Sequence, residues 1–180
     1  MKHLINYLKA AVRLSINHND HEKVVWESLK KYFSDNKYKF GVYESDKRIE
    51  ALFTVSEETA LNFFYIVSRG SLRYSAKVLN HYPPELATDI FVMASHFNNV
   101  LKDGVVVVYP NELCVEFQMK SDCVLNIIWP IILHEYFVNH CDAAKDMFWA
   151  FNKLVEERED PAIIIADLFR MKESNEKPHK

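Results

Sequence analysis

Residues 97–119, FNNVLKDGVVVVYPNELCVEFQM, constrain the fold more than any other stretch of this chain. A segment with helical spacing stops at Asp103 and Gly104. Two β-rich runs, VVVVY and ELCVEFQM, then face each other across YPNE. Consecutive β-branched residues are stiff at χ1 and suit a pleated surface better than a helix. The spacing therefore predicts a helix followed by a hairpin. Strong apolar segments flank the region, yet it offers no catalytic group. The expectation is a small module of helix and sheet that works through its surface rather than a chemical pocket.

Upstream, residues 2–17 place Leu4, Ile5, Leu8, Ala11 and Val12 at helical spacing. Asp20 is placed to cap a second helix over 21–34, with Val24, Val25, Leu29, Tyr32 and Phe33 as its stripe. Residues 1–35 thus read as a helical extension packed on a main domain of 36–170. Four strands are expected at 38–44, 48–55, 59–67 and 72–79, separated by SDK, SEE and SRGS. Gly70 in the last separator is free to take positive φ. Pro83 and Pro84 end this meander and open a helix with Leu86, Ile90, Met93 or Ala94, Phe97 and Leu101 on one face.

A long helix is predicted over 129–157, with Pro130 in its first turn and room for a break near 139–142. Its stripe runs through Trp129, Leu133, Tyr136, Ala143 or Ala144, Met147, Phe151 and Leu154. Phe137, Cys141, Phe148 and Val155 widen it. That is more apolar width than a one-sided surface helix needs, so this helix is expected to pack on two sides or to meet a partner. Residues 161–169 read as a short helix, and 171–180 as a flexible tail.

With 180 residues, 49% hydrophobic, 13% aromatic and only 3 Gly, the chain can bury a sizeable core in one domain. A formal charge of −3 does not call for nonspecific nucleic-acid binding, which needs a strong basic patch. The 3 cysteines are odd in number and form no CxxC pair, which suits a reduced, cytoplasmic setting. Residues 124–138, VLNIIWPIILHEYFV, fall short of the roughly 20 residues a bilayer span requires. They read as a buried helix, without membrane insertion.

The chemical constellations are weak. No glycine-rich phosphate loop or nucleophile elbow occurs. His18 and His21 read as solvated cap residues. His134, Glu135, His140 and Cys141 read as core or interface. Asp89 and Glu85, four residues apart on one helix face, read as solvated carboxylates. Cys114 is expected to face the core, and a pairing with His96 would require proximity and an orienting group. Arg69, Arg73 and Lys77 around Tyr74 read as a solvated strand edge before an RNA or acidic-peptide site. Asn98 and Asn99, at a helix end before a turn, are assigned to local backbone ordering first. No catalytic, cofactor-binding or metal residue is assigned. The leading reading is a non-enzymatic protein-binding or regulatory module, adaptor-like or chaperone-like. Trp129, Tyr136, Phe137 and Trp149 are its candidate anchors for an unidentified protein partner or a second copy in a homodimer. The alternative is a small-ligand protein or enzyme with a site near His96, Cys114 or His134. A nucleic-acid module is third.

From about 37 to 169 the order of elements resembles the bacterial YbjN-like family, often labelled sensory transduction regulators. The similar points are the strand meander, PPE before a helix, FNNVLKDG, the VVVVY–ELCVEFQ hairpin and the late helix followed by DPAIIIADLF. Asn98 and Asn99 match the Asn-rich helix end of that family. The resemblance implies an α+β fold like that of type III secretion chaperones, an antiparallel β-sheet flanked by helices. It brings no catalytic residues with it.

Overall fold

The computed structural model describes residues 18–56 and 59–176. The helix expected over 2–17 lies outside them. Helix α1 (His18–Asp35) is followed by strands β1 (Phe40–Tyr43), β2 (Arg48–Thr54), β3 (Ala60–Ser68) and β4 (Ser71–Leu79). A 3-10 turn (Pro84–Leu86) leads into α2 (Ala87–Val100). Then come β5 (Val105–Tyr109), β6 (Cys114–Asp122), α3 (Cys123–Ile128), α4 (Ile131–Glu157) and α5 (Pro161–Glu176). The six strands form one antiparallel sheet in the order β1-β2-β3-β4-β6-β5. This is the expected α+β architecture.

The described residues group into two compact units, one made of those up to Ser75 with Met119–Cys141, the other of Ala76–Gln118 with those from Asp142 onward. In the first unit, the alternation of β3 buries Leu61, Phe63, Tyr65 and Val67 on one face. Register carries that face into β2, where Ala51 faces Phe63 and Ile49 faces Tyr65. Helix α1 lays Val25, Leu29 and Phe33 on this surface at four-residue spacing. The turn between β3 and β4 has Arg69 at φ 51° and Gly70 at φ 71°. Two left-handed central residues match the twist of the flanking strands.

In the second unit, α2 buries Leu86's successors Ile90, Met93, Ala94 and Phe97. The later part of α4 buries Ala144, Met147, Ala150, Phe151 and Leu154, and α5 buries Ile164, Ile165 and Leu168. Phe97 and Phe151 meet with ring centroids 5.8 Å apart.

Some local expectations are corrected. Residues 124–138 are not one buried helix, and the helix expected from 129 does not start there. The chain leaves α3 at Trp129 (φ −126°, ψ 78°) and re-enters helix at Ile131. A proline disfavours helical backbone at the residue before it, so Pro130 sets the break at Trp129 rather than sitting inside the helix. No break occurs near 139–142, because α4 runs through those residues, which include no Gly or Pro, and buries His140 there. His21 is 6% exposed rather than a solvated cap residue. The last helix also extends through Glu176, beyond the expected end at 169.

Candidate protein-binding surface

The four candidate anchors fall into very different surroundings. Phe137 is buried at the centre of an aromatic cluster. Its ring centroid lies 5.2 Å from Tyr32, 5.3 Å from Tyr38, 5.4 Å from Phe53, 5.6 Å from Phe33 and 5.7 Å from Tyr65. It is core. Tyr136 is half-buried, 6.0 Å from the ring of Tyr74. Trp149 is also half-buried, and Lys153 Nζ sits 5.5 Å from its ring centroid. That ammonium is itself held by Glu159 at 2.8 Å and Asp167 at 3.3 Å. The hydrogen bond it donates to Glu159, ahead of the one it donates to Asp167, raises its pKa.

Trp129 is the exception, at 61% exposed. Ile128 and Ile131 beside it are 39% and 59% exposed, and Val138, further along α4, is 37% exposed. The corner carrying them is ordered by backbone bonds on both sides. Trp129 N–H donates to Leu125 O at 2.9 Å, and Ile132 N–H donates to Trp129 O at 2.9 Å. Asp122 caps the preceding helix by accepting from Val124 N–H at 2.7 Å. Behind the corner, Asn126 Nδ2 donates to Ser121 Oγ and to Asp122 O, each at 2.8 Å. The apolar residues are therefore presented from a hydrogen-bonded frame. The Trp-Pro pair was the available signal, since it marks a helix boundary. Apolarity alone pointed to burial instead.

The residues considered for chemistry are engaged otherwise. His134 Nδ1 is 2.8 Å from Tyr32 Oη, a link between α4 and α1. His140 is fully buried against Phe63, Tyr65 and Tyr74. Burial pushes the Cys114 thiol up, and pushes that of Cys123 up to about 12. Both shifts oppose the thiolate a nucleophile needs. No group of three or more His, Cys, Asp or Glu among the described residues is arranged to hold a metal ion. Tyr74 is fully buried while Arg69 and Arg73 are exposed, so that tyrosine gives a nucleic-acid base no ring to stack on. Asn98 does order backbone. Its side chain accepts from Val106 N–H at 2.7 Å and donates to Val106 O at 3.1 Å. Among the described residues, no helix is long and apolar enough to cross a membrane.

No protein-family model matches the chain, and no curated protein matches it by sequence. Solved structures do match by fold. A chain from the crystal structure of the ExsC–ExsE complex superposes with a TM-score of 0.50 at 14% identity, covering 68% of this chain and 89% of the other. YbjN from E. coli superposes with a TM-score of 0.49 at 10% identity, covering 70% of this chain and 90% of the other. The match to the chain of the ExsC–ExsE complex shows a fold of the chaperone-like α+β kind.

Proposed function

We propose that this chain is a non-enzymatic protein-binding module, adaptor-like or chaperone-like, anchored at Trp129. The observation that carries the reading is a tryptophan 61% exposed between two exposed isoleucines on a hydrogen-bonded corner. Exposed apolar patches mark interaction sites, and tryptophan is among the residues richest in binding energy once desolvated. A preformed corner also loses little freedom on binding. The likeness to a chain solved in a two-protein complex supports the same reading at the level of fold. The three free cysteines suit a reducing, cytoplasmic setting. An enzyme reading has its least support at the residues that would carry it, since the thiols of Cys114 and Cys123 are shifted away from reactivity.

The test compares wild type, Trp129→Ala and Trp149→Ala as baits in a native lysate, scored by quantitative mass spectrometry. A partner recovered by wild type and by Trp149→Ala should be depleted by Trp129→Ala. With that partner purified, affinity should fall roughly thirtyfold, as expected for a hot-spot tryptophan. Equal recovery by all three proteins would remove Trp129 from the role.

A further inference from the structure

The element beside the Trp129 corner is α1, and hydrogen bonds locate both of its ends. Near its start, Glu22 accepts from Gly70 N–H at 2.8 Å, and Gly70 O accepts from the N–H of Cys123, the first residue of α3, at 2.9 Å. Near its end, Tyr32 Oη lies 2.8 Å from Nδ1 of His134 in the first turn of α4. Helix α1 therefore runs alongside α3, then the corner, then the start of α4. Val24, Ser28 and Tyr32 follow one another at four-residue spacing, on the flank of α1 from which Tyr32 reaches α4. Val24 is half-buried and Ser28 exposed. Among the described residues, a strip between that flank and the exposed Ile128, Trp129 and Ile131 is left open. We propose that the chain's own residues 2–17 dock on this strip, running back along α1 with Leu4, Leu8 and Val12 against Trp129 and its two isoleucines. The inference rests on the reading of the corner as a binding surface and names what regulates it, since the docked segment and a partner compete for one tryptophan.

Connection, length, charge and apolar pattern each select this occupant. The segment is joined to α1 at His18, the end beside α3, so it is tethered where the strip begins. Asn17, just before His18, is a residue type that tolerates the left-handed backbone of a tight reversal. As a helix, residues 2–17 would span about 24 Å, against about 27 Å for the 18 residues of α1. That reach passes the corner and arrives at the start of α4. Leu4, Leu8 and Val12 recur every four residues, so a helix carries them on one side. Lys2, Lys9 and Arg13 are spaced seven and four apart, which gathers them into one basic stripe, and the segment has no Asp or Glu. Residues 121–138, which build α3, the corner and the start of α4, carry the complement. They hold Asp122 and Glu135, both exposed, and no Lys or Arg. Tethering holds such a segment near its site at an effective concentration in the millimolar range, so docking is populated even where a separate peptide would bind weakly.

The experiment is hydroxyl-radical labelling of the full chain, read as oxidation of each tryptophan by peptide mass spectrometry. Wild type is compared with the double variant Leu8→Asp/Val12→Asp. Oxidation of Trp129 should rise about threefold in the double variant, the change expected for a segment docked most of the time. Oxidation of Trp26 and Trp149 should stay as in wild type. From the other side of the contact, Trp129→Asp should speed amide exchange within 2–17 by about threefold and leave exchange in β3 unchanged. Equal oxidation of Trp129 in wild type and double variant overturns the proposal, as does exchange in 2–17 that ignores Trp129→Asp. Protection of Trp129 that grows with protein concentration assigns the contact to a second copy and also overturns it. So does protection that appears only on adding another protein, which gives the corner to that partner alone. The two readings fail separately. Unchanged labelling with partner capture still lost in Trp129→Ala sinks the docking alone. Labelling that rises as expected, with capture equal in all variants, sinks the partner reading alone.

Discussion

At the residue scale, Phe137 and Trp129 show how little composition says about burial. Both are large aromatics on the same apolar stretch, yet one is 5% and the other 61% exposed. Phe137→Ala should cost about 3–5 kcal/mol, because it empties the centre of a ring cluster. Trp129→Ala should change stability by no more than about 0.5 kcal/mol. Chemical denaturation of the two variants checks both values. Glu22 is a second residue whose role emerges from its contacts. Its carboxylate accepts from Gly70 N–H at 2.8 Å and pairs with Lys47 at 2.9 Å, tying α1 to two turns of the sheet. The Gly70 N–H first, and the Lys47 ammonium second, hold its pKa below the ordinary carboxylate range. A depressed pKa contributes stability that is complete above the unfolded value, about 4.5, and is lost as pH falls through the folded one. Glu22→Gln should destabilise by about 1 kcal/mol at pH 7. It should also flatten the loss of stability below about pH 4.5, measured as denaturation midpoint against pH.

At the scale of elements, the Asn98 side chain acts as a strand-like neighbour to Val106. Asn98→Ala removes one donor and one acceptor from an edge peptide. The expected cost is about 1–2 kcal/mol, with faster amide exchange at Val106 while the β3 amides stay unchanged. Exchange that accelerates equally everywhere would mean the bond supports the whole fold rather than this edge. The break between α3 and α4 has a comparable local cause. Pro130 bars helical backbone at Trp129, and Leu125 O and Trp129 O take the flanking N–H groups. The resulting corner turns three apolar side chains outward that a continuous helix was expected to bury.

At the scale of the molecule, both compact units draw on discontinuous stretches of chain. The residues of β4, β6 and α4 are each divided between them. Cys123 lies in the first unit and Cys114 in the second, both buried with thiols pushed up by burial. Alkylation at pH 8 should be slow at both in the native protein. Both should become reactive at the same denaturant concentration, resolved by peptide mass spectrometry. Exposure of one well before the other would show that the units open independently.

Periodicity was enough to read most of the order of elements, though not the break that separates α3 from α4. Alternation in β3 and β4, four-residue spacing in α1 and the SRGS turn follow from rules that operate within a few residues, and each element formed where those rules placed it. The Asn98 reading was local too, since asparagine at a helix end is suited to satisfy nearby backbone. Which apolar residues stayed exposed was not legible, because Trp129 and Phe137 differ in what other elements bring against them. Tertiary structure surrounded Phe137 with rings from α1, β2 and β3 and, among the described residues, left Trp129 61% exposed. Local sequence determines backbone conformation through sterics and hydrogen bonding between near neighbours. Burial is decided by packing between segments distant in the chain, and the candidate binding surface is what that packing left uncovered.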